Sequence, residues 1–349
     1  MIKVLIVDDS AFMRKALSTM LDKDPDIEVV GQARNGEEGL EQIRRLAPDV
    51  VTLDIEMPVM DGLTALRHIM MQSPLPVLMV SSLTTEGAES TLKAMELGAV
   101  DYIPKQLSKV SLDIIKIEDE LRDKVKTVAK RKVRPGRPKP RQEPRPVKKD
   151  LEEHREKTQK RDVVGIGVST GGPPAVQRIL AEMEPGFPGS IFIAQHMPGA
   201  FTTAFAKRLN DCSALEVKLA EHGERVRRGC VYVAPGGSHL QIKQKGSHLD
   251  IDIASEPAQT LYKPSVNILI ESLARAVGKR SLGVILTGMG NDGLEGVRSL
   301  KAKQGRALAQ SDASCVVYGM PRSIVEAGLA DEVVELEEMS RSIVRNLFL

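Results

Sequence analysis

The sequence predicts two α/β domains in tandem, each built on a mostly parallel sheet, with a basic, proline-rich linker between them. Three observations carry this. Short apolar runs alternate with segments of helical period over residues 1–128, the same alternation restarts at Val163, and in between lies a Lys/Arg run broken by prolines.

In the first domain the runs Lys3 to Val7, Val50 to Leu53, Val77 to Val80 and Val100 to Ile103 read as buried strands. Met13, Ala16, Leu17, Met20 and Leu21 recur at i, i+3, i+4, i+7 and i+8, and Val110, Ile114, Ile117, Leu121 and Val125 likewise share one helix face, so each helix turns an apolar stripe to the sheet. From Lys130 to Lys149 the composition changes to basic residues punctuated by Pro135, Pro138, Pro140, Pro144 and Pro146, with almost nothing to bury. That stretch is an extended, solvated linker, which sets the expected division at 1–128, 129–160 and 161–349. Beyond it, Val163 to Val168, Ser190 to Ala194 and Ser281 to Leu286 read as strands of the second domain.

A length of 349 residues suits two ordinary domains, and a hydrophobic fraction of 42% supplies a core to each. The 49 basic and 47 acidic residues leave a net charge of +2, so no global field argues for nucleic acid or an anionic membrane. The basic linker lacks the interleaved aromatic residues that stack on bases. Cys212, Cys230 and Cys315 are an odd number without CxxC spacing and read as reduced structural thiols rather than zinc ligands. The N-terminus runs straight into Asp8 and Asp9 with no basic leader, and no apolar run approaches the roughly 20 residues of a membrane span. The expectation is a cytoplasmic monomer that neither binds nucleic acid nor inserts into a membrane.

Side chains at the carboxyl ends of parallel strands face a common crevice. In the first domain that crevice collects Asp8, Asp9, Asp54, Ser81 and Lys105. Converging carboxylates repel one another and persist together where a divalent cation neutralises them, and hard oxygen ligands with room for water suit magnesium. A metal-bound carboxylate can attack a phosphoryl donor, after which a hydroxyl and an ammonium hold the new phosphate oxygens. Asp54, Ser81 and Lys105 fit those roles. Each residue type alone is common in helix caps and on surfaces; their joint placement at strand ends argues for chemistry.

These residues resemble the receiver domain of bacterial response regulators over 1–125, through VDDS at 7–10, LDIEMPVMDG at 53–62, MVSSLT at 79–84 and DYIPK at 101–105. The resemblance implies a flavodoxin-like, doubly wound, five-stranded parallel sheet and phosphorylation of Asp54 by a histidine kinase. It further implies magnesium held by Asp9, Asp54 and the Glu56 carbonyl, with Asp8 acting through water, and Tyr102 as a switch aromatic. Gln106 follows Lys105 where the family usually has a proline.

The second domain opens with VVGIGVSTGGPP at 163–174: a strand, a glycine-rich turn carrying Ser169, and a helix entered through Pro173 and Pro174. Gly167, Ser169 and Gly171 form G-x-S-x-G, which holds a serine hydroxyl out of a sharp bend beside amides that can bind an oxyanion. A dinucleotide fingerprint is the competing reading, but the glycines at 165, 167 and 171 fall one residue too far apart. Where that fold would place an acid, the next strand ends in Gln195 and His196. His196 is therefore the candidate general base, with His239 as runner-up. The orienting carboxylate is Asp292 in ILTGMGNDG, with Asp312 as the alternative; a plain helix cap before Gly293 is the competing use of Asp292. The order Ser, His, Asp matches neither α/β-hydrolases, chymotrypsin nor subtilisin.

Over 160–345 this domain resembles the catalytic domain of the chemotaxis protein-glutamate methylesterases, through GVSTGGP, AQHMP, VYVAPG, KPSV, GVILTGMGNDG and SCVVYGMP. The resemblance implies a doubly wound, mostly parallel catalytic domain with Ser169, His196 and Asp292 as its triad and oxyanion amides near Thr170 and Met289. It implies hydrolysis of glutamyl γ-methyl esters, and deamidation of certain glutamines, on methyl-accepting chemotaxis receptors, without a cofactor for the hydrolytic step. A chemotaxis histidine kinase would be the phosphodonor, and the unphosphorylated receiver would pack over the mouth of the Ser169 site until phosphorylation releases it. Tyr262, Lys263 and Asn267 stand where Arg- and Asp-containing forms are commoner. The alternative is a response regulator with a non-catalytic binding output domain, although 163–349 shows no helix-turn-helix pattern or basic clustering.

Overall fold

The apolar runs at the start of the chain become β1 (Ile2–Val7), β2 (Ile27–Ala33), β3 (Val50–Asp54), β4 (Val77–Ser81) and β5 (Asp101–Pro104). They pair in parallel in the order β2-β1-β3-β4-β5. In this computed structural model residues 1–105, 111–129 and 158–349 are described, and they belong to two units, Met1–Pro140 and Arg141–Leu349. Strand β2 has no counterpart among the sequence runs because it lies at the sheet edge, with only Ile27 and Ala33 buried.

Among the described residues five helices complete the first unit: α1 (Ala11–Leu21), α2 (Gly36–Leu46), α3 (Gly62–Gln72), α4 (Thr85–Glu96) and α5 (Ser111–Ala129). The first four start where a Ser10, Asn35, Asp61 or Thr84 side chain accepts an otherwise orphaned backbone N–H. Leu17 and Leu21 of α1 meet Ile117, Leu121 and Val125 of α5 over Val4, Ile6 and Leu78 of the sheet. Helix α2 packs on α3 and α3 on α4, which gives the doubly wound arrangement. Gln106, Val110, His154 and all but the ends of the expected linker at 129–160 lie outside the described residues.

The second unit contains β6 (Val163–Val168), β7 (Ser190–Gln195), β8 (Glu216–Leu219), β9 (Cys230–Val233), β10 (His239–Lys245), β11 (His248–Ala254), β12 (Ser281–Ile285), β13 (Arg306–Gln310) and β14 (Glu332–Val334). Strands β10 and β11 form an antiparallel hairpin; the other seven form a parallel sheet in the order β14-β13-β12-β6-β7-β9-β8. Its α-helices among the described residues are α6 (Gly172–Ala181), α7 (Gly199–Cys212), α8 (Val266–Val277), α9 (Leu294–Ala302), α10 (Met320–Glu326) and α11 (Met339–Phe348). Strand order runs outward from β6 in both directions, so the sheet has a topological switch point between β6 and β12, where a crevice opens beyond the carboxyl ends.

The glycines of VVGIGV have a packing reason. A Cβ at Gly167 would lie 2.1 Å from Val266 Cγ1, so α8 settles onto the sheet only because those positions are bare. Cys212, Cys230 and Cys315 form no disulfide, and no helix among the described residues is long and apolar enough to cross a membrane.

Candidate active site

Strand β6 ends at Val168, and Gly171 turns the chain at φ 75° into α6, whose first turn takes Pro173 and Pro174 without losing a needed N–H. Ser169 sits half-buried on this bend. Thr287, two residues beyond β12, stitches the bend down: its carbonyl accepts the Ser169 N–H at 3.0 Å and its hydroxyl donates to the Thr170 carbonyl at 2.9 Å. The Ser169 amide is thereby committed to Thr287, which leaves the neighbouring backbone as the candidate source of oxyanion donors. Thr170 follows directly, and Met289 lies in the loop after β12 beside Gly288, which bridges to Tyr318.

His196 follows β7, the neighbour of β6, and its backbone N–H donates to the Val168 carbonyl at 3.1 Å, which fixes His196 beside the serine bend. The Gln195 side-chain amide donates to both the Ser169 and His196 carbonyls, at 3.1 and 3.3 Å. Nε2 of His196 lies 2.8 Å from Asp292 Oδ2. A carboxylate partner assigns the proton to Nε2 and leaves Nδ1 as the basic nitrogen; Nδ1 is buried and has no hydrogen-bond partner among the described residues. The Tyr262 ring stacks on the imidazole with centroids 3.9 Å apart and planes 11° from parallel.

Asp292 is buried and does more than face the histidine. It accepts the Ser265 hydroxyl at 3.0 Å and the Val266 and Asn267 amides at 2.7 and 2.9 Å, which places its charge on the N-terminus of α8. In return, Asn267 Oδ1 accepts the Gly293 and Gly296 amides at the start of α9, each at 2.9 Å. Asp292 therefore does not cap the helix that follows it; that N-cap is Gly293, with no side-chain bond. Burial acts to raise the Asp292 pKa, but the His196 bond and charge and the backbone amides together hold it below the usual carboxylate value.

The runners-up lie elsewhere. His239 is a satisfied core residue: Nδ1 accepts the Ser265 N–H at 3.2 Å and Nε2 faces the Pro257 carbonyl at 3.2 Å. Asp312 opens the short turn Asp312–Ser314, and His196 takes its carboxylate from Asp292 instead. Ser265, Thr287 and Gln195 went unassigned in the sequence, although each stands inside or beside a quoted motif.

In the first unit Asp8, Asp9 and Asp54 each bring a carboxylate oxygen within 4.8 Å of the others, with Asp8 and Asp54 buried and Asp9 exposed. Lys105 Nζ lies 2.7 Å from Asp54 and 3.1 Å from Asp8. Burial pushes the Asp54 carboxyl up to about 6; Lys105 opposes this, while the Asp8 charge adds to it. Burial also raises Asp8, again against Lys105. The set is short of positive charge, and three hard oxygens so close together fit a divalent cation. Glu56 is exposed two residues beyond Asp54 and, with Asp9, Asp61, Arg67 and Lys93, lines an open groove of about 650 Å³. The Ser81 hydroxyl is turned to the Ser82 and Gly87 carbonyls, at 3.3 and 3.2 Å, so it must rotate to meet a group on Asp54. Tyr102 is buried, with Lys124 Nζ 5.2 Å from its ring centroid.

Residues 164–343 match the CheB methylesterase family, and residues 4–115 match the response regulator receiver domain. The chain belongs to the CheB methylesterase family. Among the CheB relatives, a protein-glutamate methylesterase/protein-glutamine glutaminase of Nitratidesulfovibrio vulgaris is 59% identical, with all of both chains covered. Another of that description, from Halalkalibacterium halodurans, is 46% identical over 99% of this chain and 98% of its own. The Thermotoga maritima CheB methylesterase catalytic domain superposes with a TM-score of 0.52 at 36% identity, covering 53% of this chain and 98% of that one. CheB membership and the parallel α/β architecture thus agree with the sequence reading in both halves of the chain.

Proposed function

We propose that the chain is a protein-glutamate methylesterase and protein-glutamine glutaminase of bacterial chemotaxis, hydrolysing receptor side chains through Ser169, His196 and Asp292. The reading rests above all on the 2.8 Å His196–Asp292 pair, set at the strand ends that flank the Ser169 bend. Ser169 Oγ attacks the γ-carbonyl of a glutamyl methyl ester while His196 Nδ1 takes its proton. The buried Asp292 charge stabilises the imidazolium, and amides of Thr170 and Met289 receive the oxyanion. His196 returns the proton to the departing methanol, and water then cleaves the acyl-Ser169 ester by the same route. A glutamine side chain reacts identically with ammonia as the leaving group. The step needs no cofactor.

In this reading 1–128 is the receiver, 129–160 the linker and 161–349 the catalytic domain of a cytoplasmic monomer. A chemotaxis histidine kinase phosphorylates Asp54, and the added charge relieves inhibition exerted by the unphosphorylated receiver. Magnesium, held by Asp9, Asp54 and the Glu56 carbonyl with Asp8 acting through water, would offset charge during phosphoryl transfer. Lys105 and a rotated Ser81 hold the phosphate oxygens, and Tyr102 responds to Ser81. Methanol release from methylated receptor membranes tests both halves. Ser169→Ala is expected to be inactive, and Asp54→Ala to lose stimulation by a small phosphodonor with magnesium; full activity in the first or retained stimulation in the second overturns the corresponding role.

A further inference from the structure

His196 is held at one point of its ring edge, by Asp292 at 2.8 Å, and at its carbonyl by Gln195. One edge bond does not fix a ring plane: the imidazole can still swing about that contact, because the terminal torsion of a histidine is broad. The direction of Nδ1, the nitrogen that must meet the serine, is therefore set by whatever touches the ring face. Tyr262 lies flat on one face of the imidazole, with centroids 3.9 Å apart and planes 11° from parallel.

We propose that Tyr262 is a positioning residue, whose flat ring fixes the His196 plane and with it the direction of Nδ1, the nitrogen that would take the Ser169 proton; this rests on His196 being the base. The loop that carries Tyr262 is anchored by the residues just after it. Lys263 Nζ donates to the Ser255 carbonyl at 2.9 Å, the Lys263 carbonyl accepts the Gly237 N–H at 3.1 Å, and the Ser265 amide donates to His239. On its far side the Tyr262 hydroxyl reaches to 3.8 Å from where a Cβ on Gly290 would stand, beside the loop that carries Met289. A stack this close contributes beyond simple contact area, and its loss corresponds to roughly a three- to tenfold change in rate. What matters is flatness, so a phenyl ring serves and an aliphatic side chain of similar bulk does not.

The experiment uses the full chain with Tyr262→Phe, Tyr262→Leu and Tyr262→Ala. It measures the rate of Ser169 modification by a small fluorophosphonate, kcat and KM for methanol release from methylated receptor membranes, and the melting temperature. Tyr262→Phe is expected to stay within about twofold of wild type. Leucine and alanine should slow both Ser169 modification and kcat by roughly three- to tenfold, with KM and melting temperature little changed. Leucine reacting at the wild-type rate, or phenylalanine as slow as alanine, overturns the proposal. Slowing that tracks a lower melting temperature, and disappears at low temperature, assigns Tyr262 a structural role and also overturns it. A wild type that releases methanol without modification at Ser169 removes the catalytic reading and the proposal together, whereas Ser169-dependent modification indifferent to residue 262 removes the proposal alone.

Discussion

Replacing Asp292 with alanine removes the acceptor for four donors at once: His196 Nε2, the Ser265 hydroxyl, and the Val266 and Asn267 amides. Hydrogen bonds to a charged acceptor contribute about 1.5–3 kcal/mol each, but water entering the vacated space re-satisfies part of the set. The expected loss is therefore about 3–5 kcal/mol, the range for breaking a buried ionic contact by removing one partner. Urea unfolding at pH 7 measures it. The pH dependence supplies a sharper check. The folded-state pKa of Asp292 is depressed, so its stabilisation is complete above the ordinary Asp value of about 4 and fades as pH falls through the folded value. The gap between wild type and Asp292→Ala should narrow on acidification below about pH 4. A gap under about 1 kcal/mol at pH 7, or one that widens toward pH 3, refutes the assignment of Asp292 as a charged cap on α8.

Asp54 behaves in the opposite sense. Its folded pKa is raised from 3.8 to about 6, so the protonated form is the better folded one, and its contribution is lost as pH rises through that interval. Without magnesium, Asp54→Asn should raise the receiver's unfolding free energy at pH 8 by about 1–3 kcal/mol and change it little near pH 3; a destabilised variant at pH 8 contradicts the burial argument. Magnesium chloride should raise the receiver's melting temperature, and Asp9→Ala should abolish the rise; an equal rise in both places the ion elsewhere. Gly167→Ala puts a methyl 2.1 Å from Val266 Cγ1 and should cost about 1–3 kcal/mol in urea unfolding, and a neutral effect would show that α8 can lift off freely.

Much of the fold was legible because buried parallel strands read as continuous apolar runs, as Val50 to Leu53 and Val163 to Val168 do. Strand β2 escaped because an edge strand buries only some of its residues, and β8 because Glu216, Val217, Lys218 and Leu219 include one buried side chain. The candidate site was legible where chemistry asks for a residue type at a strand end, as at Asp8, Asp54, Ser169 and His196. Asp292 was placed as a partner for His196, but its grip on α8 was not, because Ser265, Val266 and Asn267 meet it only through tertiary packing. Nor does sequence spacing show that Tyr262 covers the imidazole or that the Ser81 hydroxyl faces the Gly87 carbonyl, since rotamers and ring contacts are set by three-dimensional neighbours.

In the proposed reaction Ser169 carries the acyl group during turnover. Rapid acid quench of the phosphodonor-activated chain with a methylated receptor fragment, followed by peptide mass spectrometry, tests it most directly. An ester adduct is expected on the peptide containing Ser169, formed within the first turnover and absent from Ser169→Ala. Methanol released at the wild-type rate by Ser169→Ala, or an adduct on any other residue, would contradict it.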